Sequence, residues 1–178
     1  MRGIRFTKMQ GAGNDFVILD QIAGAPFPDA SLARRLADRH FGVGCDQIML
    51  VQRNEQRFGY RILNADGSDA GQCGNGARCV ARYLRERHGL EDGATLDSPG
   101  GDVAVRFLAG DEVELALGVP RLEPADVPFN AERRELRYRL DMGNSPVEIA
   151  ALSIGNPHAV IEVDRKSTRL NSSHLVIS

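Results

Sequence analysis

The segment Cys73-Gly74-Asn75-Gly76-Ala77-Arg78-Cys79 opens a helix whose periodicity runs through about His88, and Gly89 closes it. Ala77, Val80, Ala81 and Leu84 form one apolar stripe, widened by Cys79 and Tyr83, while Arg78, Arg82, Arg85 and Arg87 lie mostly elsewhere. A stripe this wide predicts a helix enclosed by sheet on several sides. That expectation constrains the fold more than any other feature, because the rest of the chain must then supply the wrapping strands.

The strands are there to be read. Residues 4–9 alternate, Gln10-Gly11-Ala12-Gly13-Asn14-Asp15 interrupts them, and Phe16 to Asp20 resumes a strand. Pro28 and Asp29 precede a helix near 30–40, with Leu32, Ala33, Leu36 and Ala37 on one face and Gly42 and Gly44 beyond its end. Ile48 to Val51 and Phe58 to Leu63 read as strands, with a turn at Asn64-Ala65-Asp66-Gly67-Ser68. Further strands are predicted near 94–98, 102–107 and 112–117, the last two joined by Ala109-Gly110-Asp111. A proline-marked connection (Pro120, Pro124, Pro128) leads to strands near 137–141 and 146–153, a Gly155-Asn156-Pro157-His158 turn and a strand at 159–163. The fold class expected is α+β.

Bulk properties narrow the function. Lys plus Arg total 22 against 24 Asp plus Glu, so no basic excess argues for nucleic acid or an anionic membrane surface. No stretch approaches the roughly 20 apolar residues of a membrane span, and the N-terminus lacks a signal-peptide core. Three irregularly spaced cysteines do not suggest a secreted disulfide framework. The expected setting is the cytoplasm.

The start of the long helix carries chemistry. A thiol at position 73 faces unsatisfied N–H groups and the positive end of the helix dipole, a setting expected to lower its pKa. The same N–H groups form a receptor for a carboxylate. Cys79 lies about 600° further round the helix, some 120° away from Cys73, and is assigned to core packing, as is Cys45 in its Gly-rich loop. A thiol-phosphatase loop needs Cys-x5-Arg, and Cys73 to Arg78 is one residue short. Zinc lacks a second ligand pair at metal-site spacing, and a redox pair is disfavoured by the divergence of Cys73 and Cys79.

Three segments together resemble the diaminopimelate epimerase family of cofactor-independent amino-acid epimerases. They are Lys8-Met9-Gln10-Gly11-Ala12-Gly13-Asn14-Asp15-Phe16, then Asn64 to Ser68 with Cys73 to Arg78, and Gly155-Asn156-Pro157-His158-Ala159. The resemblance covers roughly residues 3–164. It implies two similar domains, each a central helix wrapped by mostly antiparallel strands, with substrate between them. On that basis residues 1–118 are expected to be a first domain carrying Cys73, and 119–164 the start of a second, incomplete one. Residues 165–178 have no period and no partner element. They resemble translated adapter sequence and are expected to be a non-native tail.

The resemblance further implies an isomerase that interconverts LL- and meso-2,6-diaminopimelate for lysine and peptidoglycan precursors, with no cofactor, and often a homodimer at full length. It implies catalytic roles for Cys73 and for His158, the latter a histidine beside the reacting centre. It implies substrate contacts from Asn14, Gln47, Asn64, Gly74, Asn75 and Asn156. The family's second cysteine, on the opposite face of the substrate α-carbon, has no counterpart here, so the 178 residues as they stand are expected not to epimerise. The alternatives are a non-catalytic ligand-binding fragment or a proline racemase-like isomerase; the Asn14, Asn64 and Asn156 set favours the diaminopimelate substrate.

Overall fold

The computed structural model describes residues 3–55, 57–110, 112–143 and 146–162. The predicted tail at 165–178, residue 163 and Asp111 of the predicted hairpin turn lie outside the described residues.

Strand β1 (Thr7–Gly11) and strand β2 (Asn14–Asp20) form a hairpin. The predicted interruption shrinks to two residues, because Gln10 still pairs with Asp15 and Gly11 with Asn14. Ala12 and Gly13 carry φ values of 51° and 92°, the positive pair that a two-residue I′ turn requires. Helix α1 (Ala30–Ala37) begins where Asp29 accepts from the Leu32 N–H at 2.7 Å. It ends earlier than predicted. The Asp38 carboxylate accepts from the N–H groups of His40 and Phe41 at 2.7 and 2.9 Å, a local alternative to another helical turn. Gly42 follows because a Cβ there would stand 1.9 Å from the Arg35 carbonyl oxygen.

Strands β3 (Gln47–Asn54), β4 (Arg57–Asn64), β5 (Thr95–Ser98), β6 (Gly101–Phe107) and β7 (Val113–Ala116) complete a seven-stranded sheet in chain order. Its pairs are antiparallel except β2–β3 and β4–β5, which are parallel. Helix α2 spans Gly74–His88, and Gly89 closes it in the left-handed conformation with φ 69°.

Alternation along the strands explains the layering. Phe16, Ile18, Met49, Val51, Tyr60 and Ile62 join Ala77, Val80, Ala81 and Leu84 of α2 in one core. Val17, Leu19, Ile48, Leu50 and Leu63 face the other way, onto Ala33 and Ala37 of α1. With both faces covered, β2 and β3 read as unbroken apolar runs rather than alternating ones. Both edge strands, β1 and β7, reach α2, so the sheet curls around the helix as its wide stripe requires.

Polar ties fix the far end of α2. Asp20, at the end of β2, accepts from the Tyr83 hydroxyl at 2.9 Å and lies 2.7 Å from His88 Nε2. The Ala23 N–H adds a third contact at 3.1 Å. Burial works against the charge on Asp20, but His88, Ala23 and Tyr83 outweigh it and hold the carboxyl below its ordinary value.

Residues up to Val119, with Ile154–Asn156, form one compact unit, and Pro120–Ser153 with the residues from Pro157 form another. In the second, a 3-10 turn (Pro124–Asp126) precedes strands β8 (Tyr138–Asp141), β9 (Pro146–Ser153) and β10 (Pro157–Val160). These make an antiparallel sheet in the order β10-β9-β8. Val127, Tyr138, Ile149 and Ala151 form its core, with Phe129 edge-on to Tyr138 at 4.7 Å between centroids. Strand β10 starts at Pro157 rather than 159, so Pro157 and His158 are strand residues and not turn residues. Proline is tolerated at a strand's first position.

Asp20→Ala leaves the Tyr83 hydroxyl and His88 without their shared acceptor. It is expected to lower the unfolding free energy by about 2 kcal/mol, read from urea unfolding with an unchanged slope. The folded-state value of Asp20 is depressed below 3.8. Its stabilisation is therefore complete above that pH and is lost as acid protonates the folded protein, so the two proteins converge in stability at lower pH.

Candidate active site

Helix α2 begins with a sulfur. Cys73 has extended backbone, φ −136°, and its Sγ accepts from the Gly76 N–H at 3.4 Å. Serine, threonine, aspartate and asparagine usually fill this capping position, so a thiol here is placed at some cost to helix stability. The N–H groups of Gly74, Asn75 and Gly76 precede the first intrahelical bond, which Ala77 makes to the Cys73 carbonyl at 2.8 Å. Gly76 also lets the helix start sit tightly on the sheet, since a Cβ there would come within 2.8 Å of the Met49 side chain.

The expected lowering of the thiol pKa is not what the site produces. Burial pushes the Cys73 thiol up, and the Gly76 and Asn75 N–H groups and the Arg78 charge only partly oppose this. The Asp46 carboxylate pushes the same way as burial. The correction has a simple physical reason: the helix end favours a thiolate, but the enclosure that orients the sulfur also removes the water that would solvate it. The site therefore favours the thiol over the thiolate.

The carboxamides predicted from the sequence gather at one end of the sheet. Asn14 is the first residue of β2, Gln47 the first of β3 and Asn64 the last of β4. Gln47 pairs directly with Asn64, and Phe16 pairs with Gln47. Asn14 Oδ1 accepts from Asn75 Nδ2 at 2.9 Å, joining this row to the start of α2. Asn75 Oδ1 in turn accepts from Arg78. Asn14 Nδ2 donates to Asp46 at 3.2 Å, and Gln47 Nε2 donates to Asn64 Oδ1 at 3.1 Å. Asn64 Nδ2 donates to Ser68 Oγ, also at 3.1 Å.

These bonds dictate what each group can still offer. One amide hydrogen of Asn14 goes to Asp46 and one of Asn64 to Ser68, which leaves each a second N–H, whereas Gln47 keeps its carbonyl oxygen. Donors and an acceptor side by side suit a zwitterionic amino-acid terminus. The N–H groups beginning α2 suit a second carboxylate.

Several supporting residues escaped the sequence reading. Asp15 takes both guanidinium nitrogens of Arg39, at 2.8 and 3.0 Å, and Lys8 at 2.8 Å. Arg39 first, then Lys8, hold its carboxyl well below the usual carboxylate range. Arg39 also bonds Asp46 at 2.7 Å, which fixes the acceptor of Asn14. Nothing local in the sequence links Asp15 to Arg39. Arg78, by contrast, stands inside the Cys73 motif and could have been singled out there.

The other sequence-predicted residues fall into place unevenly. Cys45 and Cys79 are buried, at 3% and 5% exposure, in the two cores. Asn156 lies against Gly71, two residues before Cys73. His158 sits on β10, in register with Leu152, within the second unit.

Comparison with known proteins gives this arrangement a context. The family model described as diaminopimelate epimerase matches residues 6–123. A diaminopimelate epimerase of Xanthomonas euvesicatoria pv. vesicatoria is 53% identical over 169 residues, covering 91% of this chain and 59% of that protein. One from Nitrosospira multiformis is 45% identical over 161 residues, covering 88% and 58%. The chain thus spans about three fifths of the length of these relatives. Among solved structures, a predicted epimerase of Pseudomonas aeruginosa aligns with TM-score 0.62 at 14% identity, over 93% of this chain and 61% of that one. A Bacillus anthracis phenazine biosynthesis protein of the PhzF family gives 0.60 at 17%, over 92% and 57%. These two likenesses show the fold, in agreement with the α+β class expected.

Alkylation of Cys73 by iodoacetamide, followed by peptide mass spectrometry across pH, reads the thiol directly. Its midpoint is expected above that of an unperturbed cysteine. Arg78→Gln should raise it further and Asp46→Asn should lower it, each by up to about one unit. Shifts of opposite sign to these would overturn the assignment of the two charges.

Proposed function

Because the chain belongs to the diaminopimelate epimerase family, we propose that the full-length protein interconverts LL- and meso-2,6-diaminopimelate. The reaction would proceed by proton transfer between sulfur and the α-carbon. The observation that carries this reading is the Cys73 thiol set at the start of α2, beside a row of carboxamides arranged for amino-acid termini.

Inverting the stereocentre requires a thiolate on one face of the α-carbon and a thiol on the other. The thiolate takes the α-proton, the C–H electron pair stays on carbon and spreads into the attached carboxylate, and the opposing thiol delivers a proton to the other face. Cys73 is the donor in one direction and takes the proton from substrate in the other. The N–H groups of Gly74, Asn75 and Gly76 bind the reacting carboxylate, where fixed dipoles stabilise its growing negative charge. Exclusion of water strengthens those interactions.

Asn14, Gln47 and Asn64 hold the distal amino-acid terminus, whose ammonium meets the Gln47 oxygen and whose carboxylate meets the asparagine N–H groups. Asn156 contributes a further substrate contact, and His158 tunes or relays protons beside the reacting centre. The products would serve lysine and peptidoglycan precursor synthesis. No cofactor enters this scheme, and the setting proposed is the cytoplasm, with a homodimer as the full-length form. The partner proposed is the small amino-acid substrate alone, with no nucleic acid and no membrane.

The opposing thiol is not supplied by Cys45 or Cys79, which pack in the cores. The 178 residues are therefore expected to bind diaminopimelate and protect Cys73 from alkylation without turning substrate over. In the full-length protein, loss of the α-proton signal of LL-diaminopimelate in D2O, followed by NMR, reports the chemistry. Cys73→Ala should abolish that exchange, and Asn14→Ala should weaken binding by at least about tenfold. Undiminished exchange in Cys73→Ala would end the proposal.

A further inference from the structure

Directly behind Cys73 is a polar group that the scheme above does not use. Gln72 is only 6% exposed, yet both its carboxamide oxygen and its nitrogen are engaged. Its Oε1 accepts from the Tyr60 hydroxyl at 2.8 Å and from the Cys73 backbone N–H at 3.2 Å. Its Nε2 donates to Ser98 Oγ at 3.1 Å, and Ser98 donates onward to the Gly101 carbonyl at 2.6 Å. One side chain thus ties the residue that caps α2 to strand β4 and to the β5–β6 turn.

The surroundings are shaped to that side chain. A Cβ at Gly155 would lie 2.7 Å from Gln72 Cβ, and one at Gly100 would lie 3.1 Å from the same atom. Gly155 also has φ 84°, a conformation glycine adopts without strain. The glycine of the third sequence motif is therefore a packing surface for the residue next to the cysteine of the second.

We infer that Gln72 is a positioning residue for the Cys73 thiol: its buried carbonyl fixes the Cys73 N–H, and with it the direction in which Sγ leaves the start of α2. The reasoning is geometric. A capping side chain bonds its helix only while its own backbone stays extended, and Cys73 has no side-chain branch to enforce that. An acceptor clamped by Tyr60 and Ser98 enforces it from outside. A buried, fully satisfied network of this kind specifies one arrangement, because any alternative strands a polar group away from water. The inference rests on the reading of Cys73 as the proton-transfer group, which gives the sulfur's direction its importance.

Two variants test it. Gln72→Met fills the same space without an acceptor. Gln72→Glu keeps an acceptor for the Cys73 N–H in nearly the same space. Asp46 before β3 and Arg78 on α2 act electrostatically on the thiol, which in turn acts on Tyr60 of β4 and Cys79 of α2.

Hydrogen exchange of the Cys73 N–H is expected to accelerate about tenfold or more in Gln72→Met and to stay slow in Gln72→Glu. The midpoint of Cys73 alkylation should rise in Gln72→Met, by up to about one pH unit, as the sulfur loses its bond to the Gly76 N–H. A role limited to filling space would spare both readouts in this isosteric variant. Unchanged exchange or an unmoved alkylation midpoint in a folded Gln72→Met protein overturns the inference. If Gln72→Met does not fold, Tyr60→Phe, which releases the clamp on the Gln72 oxygen, decides by the same two readouts. Neither readout involves diaminopimelate, so failure of substrate to bind strikes the proposed function and leaves this result intact.

Discussion

Burial of the wide apolar face of α2 is the constraint on which the rest of the first unit depends. A helix with so wide an apolar face has no stable position on a flat sheet, which covers only one side of it. Strands β1 and β7 at the two edges both bend onto it, and the inner residues of β2, β3 and β4 fill the concave side. Once the helix is enclosed, its first turn is held beside the ends of β2, β3 and β4. The site is therefore a by-product of packing: the same enclosure places Cys73, Asn14, Gln47 and Asn64 together and withdraws water from the sulfur.

That coupling explains why the thiol reads differently in sequence and in structure. From sequence, a cysteine before a Gly-Asn-Gly start meets a positive helix end and should ionise easily. In the folded protein the cost of desolvation exceeds what two N–H groups and one guanidinium return.

Much of the architecture was legible because it depends on short-range pattern. The limits of α2 followed from a glycine stop and a periodic stripe, and β9 lies where a strand was expected. Helix α1 overran because Asp38 was not recognised as a residue whose own side chain ends the helix. Strand β10 was placed late because Pro157 was read as a turn residue, although proline can open a strand. At the site, the row of carboxamides was reached through family resemblance and not through local pattern, since an asparagine in a Gly- or Asp-rich turn reads equally well as a turn former. The network of Lys8, Asp15, Arg39 and Asp46 was not legible at all. Its members come from three separate parts of the chain, and only the pairing of β2 with β1 and β3 makes them neighbours.

The two parallel strand pairings, β2–β3 and β4–β5, have a kinetic consequence. The hairpins β1–β2, β3–β4 and β5–β6–β7 join residues close in sequence and can form as independent pieces. Each parallel pairing joins strands separated by a long excursion, through α1 in one case and α2 in the other. Closing those excursions costs chain entropy before any stabilising contact is gained. The two pairings are therefore the entropically costly ones in this unit, and the wrap around α2 is complete only when the second of them forms.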